Sequence, residues 1–329
     1  MEKLLHVEML ETEFTKDKQK TKILHGVTFH INKGEVLGLV GESGSGKSLT
    51  SLSIMKLFKG TSGEISRGNI QFHNQELTTK SESEMRKIRG KQIAMIFQEP
   101  MTSLNPVMKI GEQLLEPIRI HLGFKEKQAK EHAISILKKV GIPRAEEILN
   151  EFPHQLSGGM RQRIMIAMAI SCNPELLIAD EPTTALDVTI QAQILDLLKQ
   201  LQQKENMSVL LITHDLGVVA EMCDRVVVMY AGRVVEEADV YDLFESPKHP
   251  YTKGLIGSVP KIGQKKDKLD SIKGNVPDPS NLPKGCKFAP RCNDAMGICF
   301  EEEPPTMTFE NDRKCSCWLY KEERGDICV

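Results

Sequence analysis

The chain has 329 residues, 40% of them hydrophobic, and its 43 Lys and Arg against 45 Asp and Glu give a formal net charge of −2. That length allows one large domain and a small one, and the near-neutral balance lacks the basic footprint of a nucleic-acid binder. The longest apolar runs, Leu176–Ala179 and Val226–Tyr230, are strand-length, far short of the roughly 20 residues that span a bilayer. With no signal-like apolar stretch at its start, the expectation is a cytoplasmic, soluble polypeptide able to dock on a membrane protein.

In chain order, Lys22 to Asn32 places Ile23, Leu24, Val27, Phe29 and Ile31 along an alternating stretch that reads as an antiparallel strand. Val36–Val40 predicts a buried strand, Ser48–Met55 a helix, and Ile93–Phe97 another buried strand. From Pro100 to Cys172 the pattern is helical, and the amphipathic run from Lys125 to Val140 stops at Gly141 with Pro143 behind it. Leu176–Ala179 and Val209–Thr213 predict further buried strands, and Val226–Tyr230 and Val234–Glu236 flank a hairpin signal at Ala231-Gly232-Arg233. Composition then shifts near residue 245, since nine of the sixteen prolines lie beyond it, and the Lys-rich stretch from Lys261 to Lys273 reads as a linker. The expected organisation is an α/β unit over 1–244, with a helical subdomain at about 99–172 inserted, and a small irregular cysteine-rich unit over 245–329.

Three stretches carry chemistry. Gly41-Glu42-Ser43-Gly44-Ser45-Gly46-Lys47-Ser48 matches G-x-x-x-x-G-K-[ST], a loop that wraps nucleotide phosphates. Its backbone N–H groups converge on an anion, Lys47 supplies a cation for the β/γ-phosphates, and the Ser48 hydroxyl completes a Mg²⁺ shell. The helix that follows aims its positive end at the phosphates, so a nucleoside triphosphate is expected on Gly41 to Leu49. The strand Leu176–Ala179 ends in Asp180-Glu181, one carboxylate suited to Mg²⁺ through water and the other to polarising an attacking water; a plain surface turn is the alternative. Ser157-Gly158-Gly159 opens a helix, either as a second anion site of backbone N–H groups or as an ordinary N-cap.

In this order, with Gln98, Ala185-Leu186-Asp187 and His214, the chain resembles an ABC-type ATPase cassette, and over nearly its whole length the ATP-binding subunits of bacterial oligopeptide/dipeptide importers. Phe97–Pro106, His249-Pro250-Tyr251-Thr252 and Leu282–Cys292 are similar to hallmarks of that branch. The resemblance implies a P-loop NTPase fold with an antiparallel β subdomain, an inserted helical subdomain and a cysteine-rich C-terminal domain. It implies that Gln98 reaches the Mg²⁺ and water region and that His214 contacts the γ-phosphate beside Glu181. It further implies that Asp187 crosses a dimer interface where Ser157, Gly158 and Gly159 serve the partner's ATP. A homologous ATPase subunit, two membrane permeases and an extracellular peptide-binding protein are the implied partners, with this chain peripheral on the cytoplasmic face. Cargo other than peptide, such as nickel, and a non-transport ABC ATPase are the alternatives. Phe14 stacks on adenine or packs in the core.

Six of the eight cysteines crowd the last 44 residues. In a reducing compartment such clustering points to metal rather than disulfides. Cys286-x5-Cys292-x6-Cys299-x17-Cys317 is wider than ordinary zinc pairs and suits a four-thiolate cubane at least as well, so spacing leaves both open. The family resemblance implies a [4Fe–4S] cluster on these four, with Cys317 preferred over Cys315 by its Cys-Trp-Leu context. A redox role for the cluster in gating the ATPase is compatible with the sequence without being required by it. Cys315 and Cys328 read as bystanders, and Cys172 and Cys223 as small packing residues.

Overall fold

The computed structural model describes residues 2–58, 60–98, 103–184, 186–258 and 272–321. Most of the expected linker, Glu99–Thr102 of the Phe97–Pro106 stretch, Ala185 and Cys328 lie outside them. Two compact units divide the chain: Leu4–His30, Leu37–Thr78 and Thr213–Val329 form one, and Met1–Lys3, Ile31–Val36 and Thr79–Ile212 the other.

The first unit holds two sheets. In one, the strand order is β2 (Gln19–Asn32), β1 (Lys3–Lys16), β4 (Gly63–Phe72) and β5 (Gln75–Glu76). β1 and β4 run antiparallel, with register shifts on either side of Glu11. Met9, at φ 48, sits where a bulge breaks the alternation, and a Cβ on Gly68 would stand 2.4 Å from its carbonyl oxygen. Phe14 meets Phe58 edge-on at 6.4 Å, and a Cβ on Gly63 would come within 2.8 Å of its ring, so this aromatic is built into local packing. In the other sheet, β3 (Val36–Val40) lies parallel to β9 (Arg225–Tyr230), and β9 turns at Ala231-Gly232, both at positive φ, into antiparallel β10 (Arg233–Asp239).

That sheet continues into the cysteine-rich region, which is less irregular than its composition suggests. β12 (Lys314–Ser316) pairs with β10, placing Cys315 opposite Glu236, and β11 (Thr306–Thr308) pairs with β12. Glu236 is fully buried and accepts hydrogen bonds from the Arg313 guanidinium at 2.7 Å and from the backbone N–H groups of Lys248 and His249, each at 2.8 Å. Every lone pair facing a donor removes part of the cost of burying this charge. His249 then caps the Pro250–Gly257 helix, its Nδ1 accepting from the Tyr251 N–H at 3.0 Å, with Pro250 in the first turn where its missing N–H costs nothing.

The second unit carries three parallel strands, β6 (Ile93–Ile96), β7 (Leu176–Asp180) and β8 (Ser208–Thr213), with Ile93 opposite Leu176 and Leu176 opposite Ser208. Leu177, Ile178, Ala179 and Leu210 are fully buried, as expected of parallel strands covered on both faces. Helices Ile110–Leu122, Glu126–Lys139 and Gly158–Ile170 pack on one another, matching the helical reading of this stretch. Ala129, Ala133, Ile136 and Leu137 form the buried stripe of the middle one.

Burial pushes the His249 imidazole down to about 3, with Lys253 adding in the same direction. Below pH 6.5 the unfolded chain takes up a proton that the native His249 refuses, so native stability falls as pH drops toward 3. His249→Asn keeps a cap acceptor without the titration. Urea unfolding at pH 7 and pH 5 should show about 2 kcal/mol less acid loss in the variant than in the parent.

Candidate active site

In the first unit, β3 runs out at Val40 and the chain turns through Gly41 into the helix Lys47–Ile54. Gly41 has φ 153, and a Cβ there would stand 2.2 Å from the Met229 carbonyl oxygen, so no other residue fits. From the opposite side Gly232 N–H donates to the Ser45 carbonyl at 2.9 Å, and Leu24 closes on Gly46, which is the helix N-cap at φ 100. The loop is thereby moulded against the β9–β10 turn while Ser43, Gly44 and Ser48 stay exposed. Lys47 is buried, its Nζ donating to the carbonyl oxygens of Gly41 at 2.8 Å and Glu42 at 3.1 Å, which aligns the ammonium along the inside of the loop. The Ser45 hydroxyl is buried and makes no hydrogen bond among the described residues. Glu42 donates its N–H to the Tyr251 hydroxyl at 2.8 Å. His214 follows β8 on an exposed turn, and Asp215 caps the next helix through the N–H groups of Gly217 and Val218.

In the second unit, Asp180 is the buried last residue of β7 and Glu181 follows at φ 47, a left-handed conformation uncommon for a side chain of this kind. Its N–H is fixed by the Ile212 carbonyl at 2.9 Å. The Glu181 carboxylate accepts from Gln98 Nε2 at 2.8 Å and from Thr184 Oγ1 at 2.9 Å. Gln98 and Glu181, singled out separately in the sequence, are thus joined directly. Thr184 was missed; its place one turn beyond two carboxylates was the only signal. Ser157 caps the Gly158–Ile170 helix by accepting from the Met160 N–H at 3.3 Å, and Ser157 and Gly158 are exposed. Asp187 caps the Val188–Glu205 helix through the Ile190 N–H at 3.0 Å. A Cβ on Gly159 would come within 3.1 Å of Ile190, so the Ser-Gly-Gly turn and the Asp187 cap are neighbours.

The four expected thiols gather in the first unit. Cys317 feels Cys286, Cys292 and Cys299 electrostatically, Cys292 feels Cys286 and Cys299, and Cys286 feels Cys299, whose carbonyl accepts from the Cys286 N–H at 2.8 Å. Burial pushes all three thiols up, Cys317 to about 11, against the opposing pull of backbone N–H groups: Phe288 and Ala289 on Cys286, Asp294 on Cys292, Leu319 on Cys317. The Met296 N–H reaches Cys299 Sγ at 3.5 Å. Cys315 instead lies in β12 against Glu236, and burial raises its thiol. Among the described residues no three His, Cys, Asp or Glu side chains converge closely enough to be recognised as holding a metal ion. Cys172 and Cys223 are buried, and burial raises both thiols, Cys223 to about 12, in keeping with packing roles.

Residues 24–184 match the model of the ABC transporter family, and residues 235–299 that of the oligopeptide/dipeptide transporter C-terminal region. The oligopeptide transport ATP-binding protein AppD of Bacillus subtilis (strain 168) is 57% identical over 326 residues, covering 99% of each chain. This chain belongs to the ABC transporter family, in its oligopeptide/dipeptide branch. The dipeptide transport ATP-binding protein DppD of the same organism is 49% identical over 329 residues, covering all of this chain and 98% of that one. Among solved structures, the dimeric post-hydrolysis state of the ATP-binding cassette MJ0796 bound to ADP and Pi matches with a TM-score of 0.64 and 27% identity, covering 72% of this chain and 98% of that one. The chain is therefore an ABC ATPase with a P-loop nucleotide-binding fold. No helix among the described residues is long and apolar enough to cross a membrane.

Proposed function

We propose that this chain is the ATP-hydrolysing subunit that energises import of oligopeptides or dipeptides across the cytoplasmic membrane. The observation that carries the reading is the moulded loop with Lys47 inside it, in a chain whose match to peptide-transport ATPases runs to its C-terminal region. Gly41 to Leu49 seat the triphosphate, and Lys47 and the loop N–H groups hold the β- and γ-phosphates. Ser48, Gln98 and, through water, Asp180 would hold Mg²⁺, which neutralises charge on the phosphoryl oxygens during transfer. Glu181 takes the proton of the attacking water. Its fixed backbone and its bonds from Gln98 and Thr184 support that role, because they orient the carboxylate before a nucleotide arrives. His214 contacts the γ-phosphate.

Exposure of Ser157 and Gly158, with Asp187 beside them, supports a pairing in which this turn serves the nucleotide of an opposing subunit. A homologous ATPase subunit is the proposed opposite half. Two permeases sit above the pair, one of them engaged through the Gln98–Pro106 segment of this chain, and an extracellular peptide-binding protein delivers the cargo. The cassette over 1–244 would then work from the cytoplasmic face, with 245–329 as the branch-specific domain.

For the tail, the resemblance to peptide-importer ATPases favours a multi-iron centre over a single zinc ion. Four free thiols, each offered a backbone N–H, with Cys317 in electrostatic reach of the other three, support a [4Fe–4S] cluster on Cys286, Cys292, Cys299 and Cys317. When bound, the cluster would cross-link a proline-rich segment that has little core of its own.

Glu181→Gln should lower ATP hydrolysis by the assembled complex at least about a hundredfold while ATP-dependent pairing persists; normal turnover would remove Glu181 from the mechanism. Cys292→Ser in anaerobically purified protein should bleach the visible absorption of the cluster and lower its iron content. Parent protein that carries zinc, or no metal, would contradict the cluster assignment.

A further inference from the structure

The phosphate loop is also held by the C-terminal region, through contacts for which its sequence motif makes no provision. The Arg291 guanidinium, 5% exposed, grips the Glu42 carboxylate with both terminal nitrogens, at 2.6 and 3.0 Å. Its remaining donors are fixed as well: Nε donates to the Lys273 carbonyl at 2.8 Å, a terminal nitrogen to the Gly274 carbonyl at 3.1 Å, and another to the Tyr230 hydroxyl at 3.3 Å. The guanidinium lies 5.7 Å from the centre of the Tyr230 ring and 5.9 Å from that of Phe288. The neighbouring backbone is secured separately by the Tyr251 hydroxyl, which accepts the Glu42 N–H. Tyr230, Tyr251 and Phe288 pack ring against ring behind both contacts. Glu42 is thus fixed at its side chain by a residue 249 positions away and at its N–H by one 209 positions away.

We infer that Arg291 is a positioning residue for ATP binding: with Tyr251 it clamps Glu42 and sets the shape of the phosphate loop before nucleotide arrives. A bidentate charge-assisted pair, largely withdrawn from water, has one geometry, and it fixes the residue that follows Gly41. The loop N–H groups are then aimed without ordering cost on binding, which favours substrate and transition state alike. Loss of the clamp therefore raises KM and leaves kcat nearly unchanged. Arg291 touches no reacting atom, and its effect passes entirely through Glu42. The inference rests on Gly41 to Leu49 being the triphosphate seat.

The test measures steady-state ATP hydrolysis by the assembled transporter carrying Glu42→Gln, Arg291→Gln, both together, or Arg291→Lys. Each Gln variant should raise KM for Mg-ATP about tenfold with kcat within about twofold, the double variant should be no worse than either single one, and Arg291→Lys should recover part of the loss. Glu42→Gln leaves every other Arg291 contact in place, so it decides the matter even if Arg291→Gln does not fold. An unchanged KM in Glu42→Gln, or additive losses in the double variant, overturns the clamp while the seat stands. Parent complex that binds no ATP overturns the seat and the clamp with it.

Discussion

The nucleotide site depends first on a close approach that leaves no room for a side chain: the backbone of Gly41 pressed against the carbonyl end of β9 at Met229. From that contact the rest of the loop follows. The β9–β10 turn can return Gly232 N–H to Ser45, Leu24 of β2 can close on Gly46, and Lys47 can lie inward along the carbonyls of Gly41 and Glu42. Each is a short backbone or packing contact, so the loop is a product of its unit and not a free-standing motif. A rigid scaffold under an exposed loop is the usual way to present fixed dipoles to an anion.

The C-terminal region extends this scaffold by electrostatics rather than by bulk. A buried Glu236 gathers Arg313 and two backbone donors, tying β10, β12 and the start of the Pro250–Gly257 helix together. His249 stays neutral there because burial disfavours its charged form, and as a neutral acceptor it caps the helix that delivers Tyr251. The motif His249-Pro250-Tyr251 therefore reads physically as cap, first-turn proline and loop support. Arg291 sits beside Cys292, so the segment that grips Glu42 belongs to the same small packed region as the thiols.

Much of this was legible in the sequence because its signals are local. Phosphate loop, buried strands, the β9–β10 turn and the 126–139 helix all follow from residues adjacent in the chain or at fixed spacing. What stayed hidden is non-local. β1 and β4 were not recognised, since the bulge at Met9 and Gly68 breaks the alternation that would announce them. Three-residue strands such as β11 and β12 carry too little pattern to stand out among prolines. Tyr251 and Arg291 acquire their roles only from folding partners more than 200 positions away.

Equilibrium binding of Mg-ATP to Gly41→Ala, in protein shown by thermal unfolding to be folded, tests the central claim most directly. A methyl group forced toward the Met229 carbonyl must open the loop, and the affinity should fall by roughly a hundredfold or more. A variant that binds ATP as tightly as the parent would contradict the claim that this contact shapes the triphosphate seat.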